Sequence, residues 1–196
     1  LLIKKYLNGG LEIEPLLIRL GIESRVADVS QSGLLSQSID LILSNDVFEH
    51  IELSLLEKVC VEFRRVIRPS GVMSHFIAIG DHFAGFDDKI TFINYLQYSD
   101  EEWKRYNTNM GYQNRLRLSE YLSLFEKTGF STELISRECI DKSVLQDIQL
   151  APKFANVSED DLLTGNCWLR GYIDADAQSK LFVKSITHSE KNGTCL

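Results

Sequence analysis

Apolar positions along the chain fall into short blocks whose spacing alternates between helical and strand-like. Glu14-Pro15 opens a block through Leu16, Leu17, Ile18 and Leu20, and Gly21 closes it. Proline early and glycine after the last turn predict a short helix at about 15–20. Ile22 to Val29 reads as a strand, followed by the turn-rich Ser30-Gln31-Ser32-Gly33. Ile39, Leu41, Ile42 and Leu43 then form a near-continuous apolar run, which predicts a strand at 38–44 buried on both faces.

Helical spacing returns with Leu56, Val59, Phe63 and Val66, and Ser54 and Glu57 stand at capping-box distance. Arg64, Arg65 and Arg68 suit the negative end of that helix, Pro69-Ser70-Gly71 ends it, and Val72 to Ile79 resumes a strand. Strand, helix and strand in this order form a crossover, so 38–44 and 72–79 should be parallel neighbours. The stretch from Gly80 to Asn114 is rich in aromatics, among them Phe83, Phe86, Tyr95, Tyr98 and Trp103. It reads either as a lid or pocket wall, or as an excursion that packs its rings on its own domain. Ser119 can cap a second helix that ends at Gly129, a short helix fits Ser158 to Leu163, and strands at 130–136 and 166–173 complete the pattern. The fold class is therefore α/β: a mostly parallel sheet with helices on both faces and an antiparallel C-terminal edge. Residues 1–187 read as one domain and 188–196 as a polar tail.

Composition narrows the partners. The 196 residues suffice for one domain with a sizeable core, and 21 basic against 28 acidic residues give a net charge of -7. That sign disfavours nucleic acid and anionic membranes as partners. No apolar run approaches the roughly 18 residues of a membrane span. Cys60, Cys139, Cys167 and Cys195 are dispersed without a CxxC pair, so neither a zinc or other metal site nor a disulfide framework is indicated, and a reducing cytoplasm is expected.

Ligands of open α/β sheets bind beyond the carboxyl ends of strands, which directs attention to three places. Asp28 follows the first expected strand and either caps a turn or accepts hydrogen bonds from a ligand. Ser44-Asn45-Asp46-Val47-Phe48-Glu49-His50 follows the second, and its clustering of polar groups exceeds what turn formation requires. Ser74-His75-Phe76 and Gly80-Asp81-His82 surround the end of the third. His75 suits a core histidine, whereas Asp81-His82 suits a pocket or a turn, a carboxylate beside an imidazole raising its basicity. No GxSxG, GxxxxGK[ST], HExxH or calcium-loop pattern occurs.

The stretch Ser38-Ile39-Asp40-Leu41-Ile42-Leu43-Ser44-Asn45-Asp46-Val47-Phe48-Glu49-His50-Ile51 resembles the fourth-strand motif of class I S-adenosylmethionine-dependent methyltransferases, of the type 11 kind. Phe63-Arg64-Arg65-Val66-Ile67-Arg68-Pro69-Ser70-Gly71-Val72 is similar to their segment leading into the fifth strand, and Leu124-Phe125-Glu126-Lys127-Thr128-Gly129-Phe130 to the junction before the sixth. The resemblance covers about residues 22–173 and implies a Rossmann-like sheet. It implies S-adenosylmethionine as cofactor, with Asp28 and Val29 toward the adenine and Ser44, Asn45 and Asp46 beside the methionine portion. His50 and His82 are the implied catalytic candidates, Asp81 and His75 the substrate-side ones, and a small-molecule or carbohydrate-type methyl acceptor the partner. None of the 12 glycines forms the family's GxG, so the first βαβ unit is expected to be missing, the chain being a fragment or having lost it, and cofactor binding is expected to be weak. A cofactor-incompetent remnant serving as an interaction module is the alternative. A nucleotide-dependent oxidoreductase fits the Arg65-Val66-Ile67-Arg68-Pro69-Ser70-Gly71 turn less well.

Overall fold

The computed structural model of the chain describes residues 13–109 and 111–173; the expectations for the first residues and for the tail at 188–196 lie outside them. The elements run α1 (Ile13–Arg19), β1 (Ile39–Asn45), α2 (Leu53–Val66), β2 (Ile67–Ala78), α3 (Asp100–Trp103), α4 (Leu118–Lys127), β3 (Ser131–Cys139), α5 (Glu159–Leu162) and β4 (Thr164–Tyr172), with 3-10 turns between them. The strands form one mixed sheet in the order β1-β2-β4-β3. β1 and β2 are parallel, with Ser44 opposite His75 and Asn45 opposite Phe76, while β2–β4 and β3–β4 are antiparallel. The expected crossover and antiparallel edge are both present.

α2 forms because Leu56, Val59, Cys60 and Val66 recur at helical spacing and all are buried. Burying such side chains is worth about 1.5–3 kcal/mol each for the larger ones. They pack with Met73 and Ile77 of β2, Cys167 and Leu169 of β4, and Leu118, Tyr121, Leu124 and Phe125 of α4 in one core. The helix begins at Leu53 with Glu52 at its N-cap, so Ser54 lies inside the first turn and does not cap it. Likewise α4 starts after Arg117, and the Ser119 hydroxyl donates to Asp161. β2 starts directly after α2: Ile39 pairs with Ile67 but Leu41 with Val72, and Arg68 to Gly71 bulge out between them. Proline is tolerated there because a bulge residue owes no ladder hydrogen bond.

Three expectations are corrected. Residues 22–29 form no strand. Asp28 instead caps a 3-10 turn at Val29–Gln31, and the chain beyond it is fastened to α2, where Glu62 accepts from the Ser32 amide and hydroxyl and Arg65 donates to the Leu34 carbonyl. These polar contacts with the helix replace strand pairing. Second, β1 is not buried on both faces: Leu41 is 53% and Leu43 66% exposed. Third, α2 and α4 lie on the same sheet face, that of Met73, His75 and Ile77; no described helix is packed on the face of Leu41, Leu43 and Trp168. Apolar strand composition alone cannot show whether a second layer is present.

The aromatic stretch adds a second core. Ile93, Tyr95, Leu96 and Trp103 pack with Ala151, Phe154 and Leu162, so these rings are packed within the domain, while Phe86 remains 90% exposed. Arg117 is fully buried and donates to the carbonyls of Asp161, Leu162 and Thr164, satisfying groups that the end of α5 leaves open. Cys60 and Cys167 are free and buried, with burial pushing both thiols up to about 12. No helix among the described residues is long and apolar enough to cross a membrane.

Candidate functional site

The carboxyl end of β1 turns sharply at Asp46, whose φ of 52° lies in the left-handed region. Such a conformation costs a non-glycine residue about 1 kcal/mol or more, though aspartate tolerates it better than most. It is held by the Asp46 amide donating to the Phe76 carbonyl at 3.0 Å and by the Asn45 side-chain amide donating to the Asp46 carboxylate at 2.6 Å. The reversal leads into a 3-10 turn, Phe48–His50. Phe48 points into the core, stacked on His75, and Glu49 is buried beside it, while His50 stays exposed.

The chain after β2 supplies the opposite side. Asp81 caps the turn His82–Gly85 by accepting from the Phe83 amide, and its other oxygen accepts from the Asn94 side chain at 3.3 Å. His82 is thereby set against His50, with ring centroids 5.0 Å apart and edge-to-face geometry. Glu49, His50 and His82 each place a ligand-type atom within 4.8 Å of the others.

A third segment fixes this arrangement. Asn114 donates to the carbonyls of Phe48 and Ile51, both at 2.8 Å, and its backbone amide donates to the Glu49 carbonyl. Gln113 donates to the Gly80 carbonyl and accepts from the His82 amide, and the Tyr112 carbonyl accepts from His50 Nδ1 at 2.7 Å. Residues 112–114 thus join both turns. Their role had no signal in the sequence, because their partners lie far away along the chain.

Electrostatics divide the acids and bases by environment. Burial raises the Glu49 carboxyl above its usual range, only partly eased by nearby backbone and by His50. The backbone near it makes no hydrogen bond of proper geometry, since neither Glu49 oxygen has a partner. Burial also raises Asp81. His82 is lowered, by burial first and then by His50, against an opposing effect of Asp81. These surroundings favour its neutral form.

Of the residues singled out from the sequence, His50 and His82 meet here beside Glu49, and Asn45 and Asp46 form the reversal that leads to them. Asp81 lies next to the cluster, with one oxygen on the Phe83 amide of the turn and the other on the Asn94 side chain. Ser44 points to the covered face of the sheet, where its hydroxyl meets His75 Nδ1 at 2.7 Å. His75 is 0% exposed, and burial holds its pKa at about 3, so it is a neutral core residue that no surface ligand reaches. Asp28 accepts from the Ser30 amide and hydroxyl, which hold its carboxyl below the usual range, and Val29 belongs to the same turn. That turn packs on α2. A hollow of about 360 Å³ between α2 and α4, lined by Glu57, Ser119 and Lys127 among others, does not include the cluster.

A family described as Methyltransferase domain matches residues 9–74, a segment holding β1, the Asp46–His50 turn, α2 and the first part of β2. Over those residues the sequence is similar to methyltransferase domains, in line with the resemblance carried by its motifs. No curated protein matches the chain. Among solved structures, the YcgJ protein from Bacillus subtilis is 12% identical, with 81% of this chain and 75% of that one covered and a TM-score of 0.46. A SAM-dependent methyltransferase from Thermotoga maritima, described as a possible histamine N-methyltransferase, is 14% identical over 79% of this chain and 65% of that one, with a TM-score of 0.48. A putative methyltransferase from Haloferax volcanii, in complex with the Trm112 methyltransferase activator, gives 14%, 79%, 65% and 0.44.

Proposed function

We propose that the chain serves S-adenosylmethionine-dependent methyl transfer to a small-molecule or carbohydrate-type acceptor. The observation that carries this reading is the Asp46–His50 turn, which lies in the methyltransferase-domain segment and meets His82 at the carboxyl end of the parallel pair.

The donor set suits such a cofactor. Asn45 and Asp46 are exposed at the strand end and offer amide and carboxylate oxygens to a ligand that carries ammonium and sulfonium charges. Asp28 and Val29 would lie toward the adenine. When bound, the cofactor supplies an electrophilic methyl group. The chain's own contribution is to orient the acceptor and to take its proton: His82, whose burial favours the neutral imidazole, has a ring nitrogen able to accept one, and His50 stands beside it. Asp81 holds the His82 turn in place.

A second reading, an interaction module on a methyltransferase-type sheet, is favoured by the lack of any GxG among the glycines and by the exposed face of Leu41 and Leu43. Isothermal titration of the chain with S-adenosylmethionine separates the two. Weak but saturable binding, weakened further by Asp46→Ala, supports the enzymatic reading. Absence of heat at millimolar cofactor sinks it for this chain.

A further inference from the structure

We propose that Glu49, His50 and His82 form a binding site for a divalent transition-metal ion of the zinc class. The first ground is the geometry already described: two imidazoles and one carboxylate, drawn from the turns after β1 and β2, bring one ligand atom each to within 4.8 Å of the others. Ligands around one tetrahedral ion at about 2.0–2.2 Å stand closer together than that. A modest inward rotation closes the difference, and His50, exposed to solvent, has room to make it.

The second ground is independent of spacing. Glu49 is 1% exposed, and neither of its carboxylate oxygens has a hydrogen-bond partner. A buried acid without partners is costly, and native proteins resolve nearly all such cases by pairing, hydrogen bonding or metal ligation. No Lys or Arg is paired with Glu49 in the ion pairs described, and its backbone carbonyl, held by Asn114, fixes the residue where it is. A cation between Glu49 and the two histidines supplies the missing partner.

The third ground is the tautomer of His50. The Tyr112 carbonyl can only accept, so Nδ1 of His50 carries the proton and Nε2 presents its lone pair. A ring nitrogen donating to a backbone carbonyl, which leaves the other free to ligate, is the outer-shell arrangement of metal-bound histidines. Two imidazoles with one carboxylate favour a borderline ion such as Zn²⁺ over Mg²⁺ or Ca²⁺, which prefer all-oxygen sites. Three protein ligands with one side toward solvent leave a coordination position open.

The inference does not depend on the methyl-transfer reading. An imidazole nitrogen that ligates an ion cannot also take a proton, so bound metal displaces the base role assigned to His82, and binding is measured directly, not through turnover. The chain, free of any histidine tag and treated with chelator, is titrated calorimetrically with Zn²⁺ and with Mg²⁺, and its melting is followed in parallel. The expected result is one Zn²⁺ per chain, a rise in melting temperature with Zn²⁺ alone, and loss of affinity in both His50→Ala and His82→Gln. Each loss should exceed the effect of about 10–100-fold usual for outer-shell partners. Because His50 is exposed, its removal leaves the core intact, and melting in chelator verifies the fold of each variant. Zn²⁺ binding unchanged in both variants, or no binding by the parent chain, overturns the proposal. Failure of S-adenosylmethionine binding with Zn²⁺ binding retained leaves this site standing and removes only the methyl-transfer reading.

Discussion

His50 and His82 meet edge to face with ring centroids 5.0 Å apart, although one follows β1 and the other follows β2. Parallel neighbours end on the same side of a sheet, so the residues just beyond them are brought together whatever their distance in sequence. If this pair serves methyl transfer, removing either ring should harm turnover more than folding. His50→Ala gives up one hydrogen bond, to the Tyr112 carbonyl, and should cost about 0.5–1.5 kcal/mol of stability. Loss of an acid–base group typically lowers rates by about 10²–10⁴-fold. Urea unfolding beside methyl-transfer assays over a panel of hydroxyl and amine acceptors checks the contrast, and equal proportional losses would assign the rings a purely structural role.

Asn114 is expected to be among the most sensitive polar positions. Its side chain donates to the Phe48 and Ile51 carbonyls and accepts from the Leu116 amide and the Tyr121 hydroxyl. Asn114→Ala strands several of these groups in the interior and should destabilise by about 2–4 kcal/mol, whereas Tyr121→Phe should cost nearer 1 kcal/mol. Denaturant midpoints of the two variants test the ranking.

Glu62 predicts an acid-sensitive contact. Hydrogen bonds from Arg65 first, then from Ser32, hold its carboxyl at about 2, below an ordinary value of 4.5. A depressed carboxyl adds stability that is fully present above pH 4.5 and is lost as pH falls toward 2. Glu62→Gln should therefore be less stable than the parent near neutrality and show a shallower decline in melting temperature across that window. Parallel pH profiles would contradict the assignment.

Gly71 sits in the bulge of β2, where a Cβ would stand 2.6 Å from Ile67 Cγ1, 3.0 Å from the Arg68 carbonyl oxygen and 3.1 Å from that of Asp40. Two of these neighbours are backbone and cannot swing aside, so Gly71→Ala should cost about 1–3 kcal/mol. Gly85, with nothing within 4 Å, offers the comparison: Gly85→Ala should be neutral or stabilising by up to about 1 kcal/mol. Thermal melts of the two variants decide it.

The β1–α2–β2 crossover was legible because its causes are local. Leu56, Val59 and Val66 declare a helix by their spacing, and the apolar runs on either side declare strands, so direction and adjacency follow from chain connectivity alone. Asp46, Glu49 and His50 were legible as a cluster for the same reason. What the sequence could not contain is which groups face one another. Residues 22–29 have strand-like composition, yet a strand also needs a neighbour's hydrogen bonds, and Glu62 and Arg65 of α2 claim the adjoining segment instead. Leu41 and Leu43 read as buried, but burial belongs to a second layer and not to a residue type. The setting of His82 against His50, the isolation of the Glu49 carboxylate and the bracing by residues 112–114 arise only when the aromatic stretch closes back on both turns. Periodicity and capping act within a few residues; desolvation and contact depend on whatever the folded chain brings within a few ångströms.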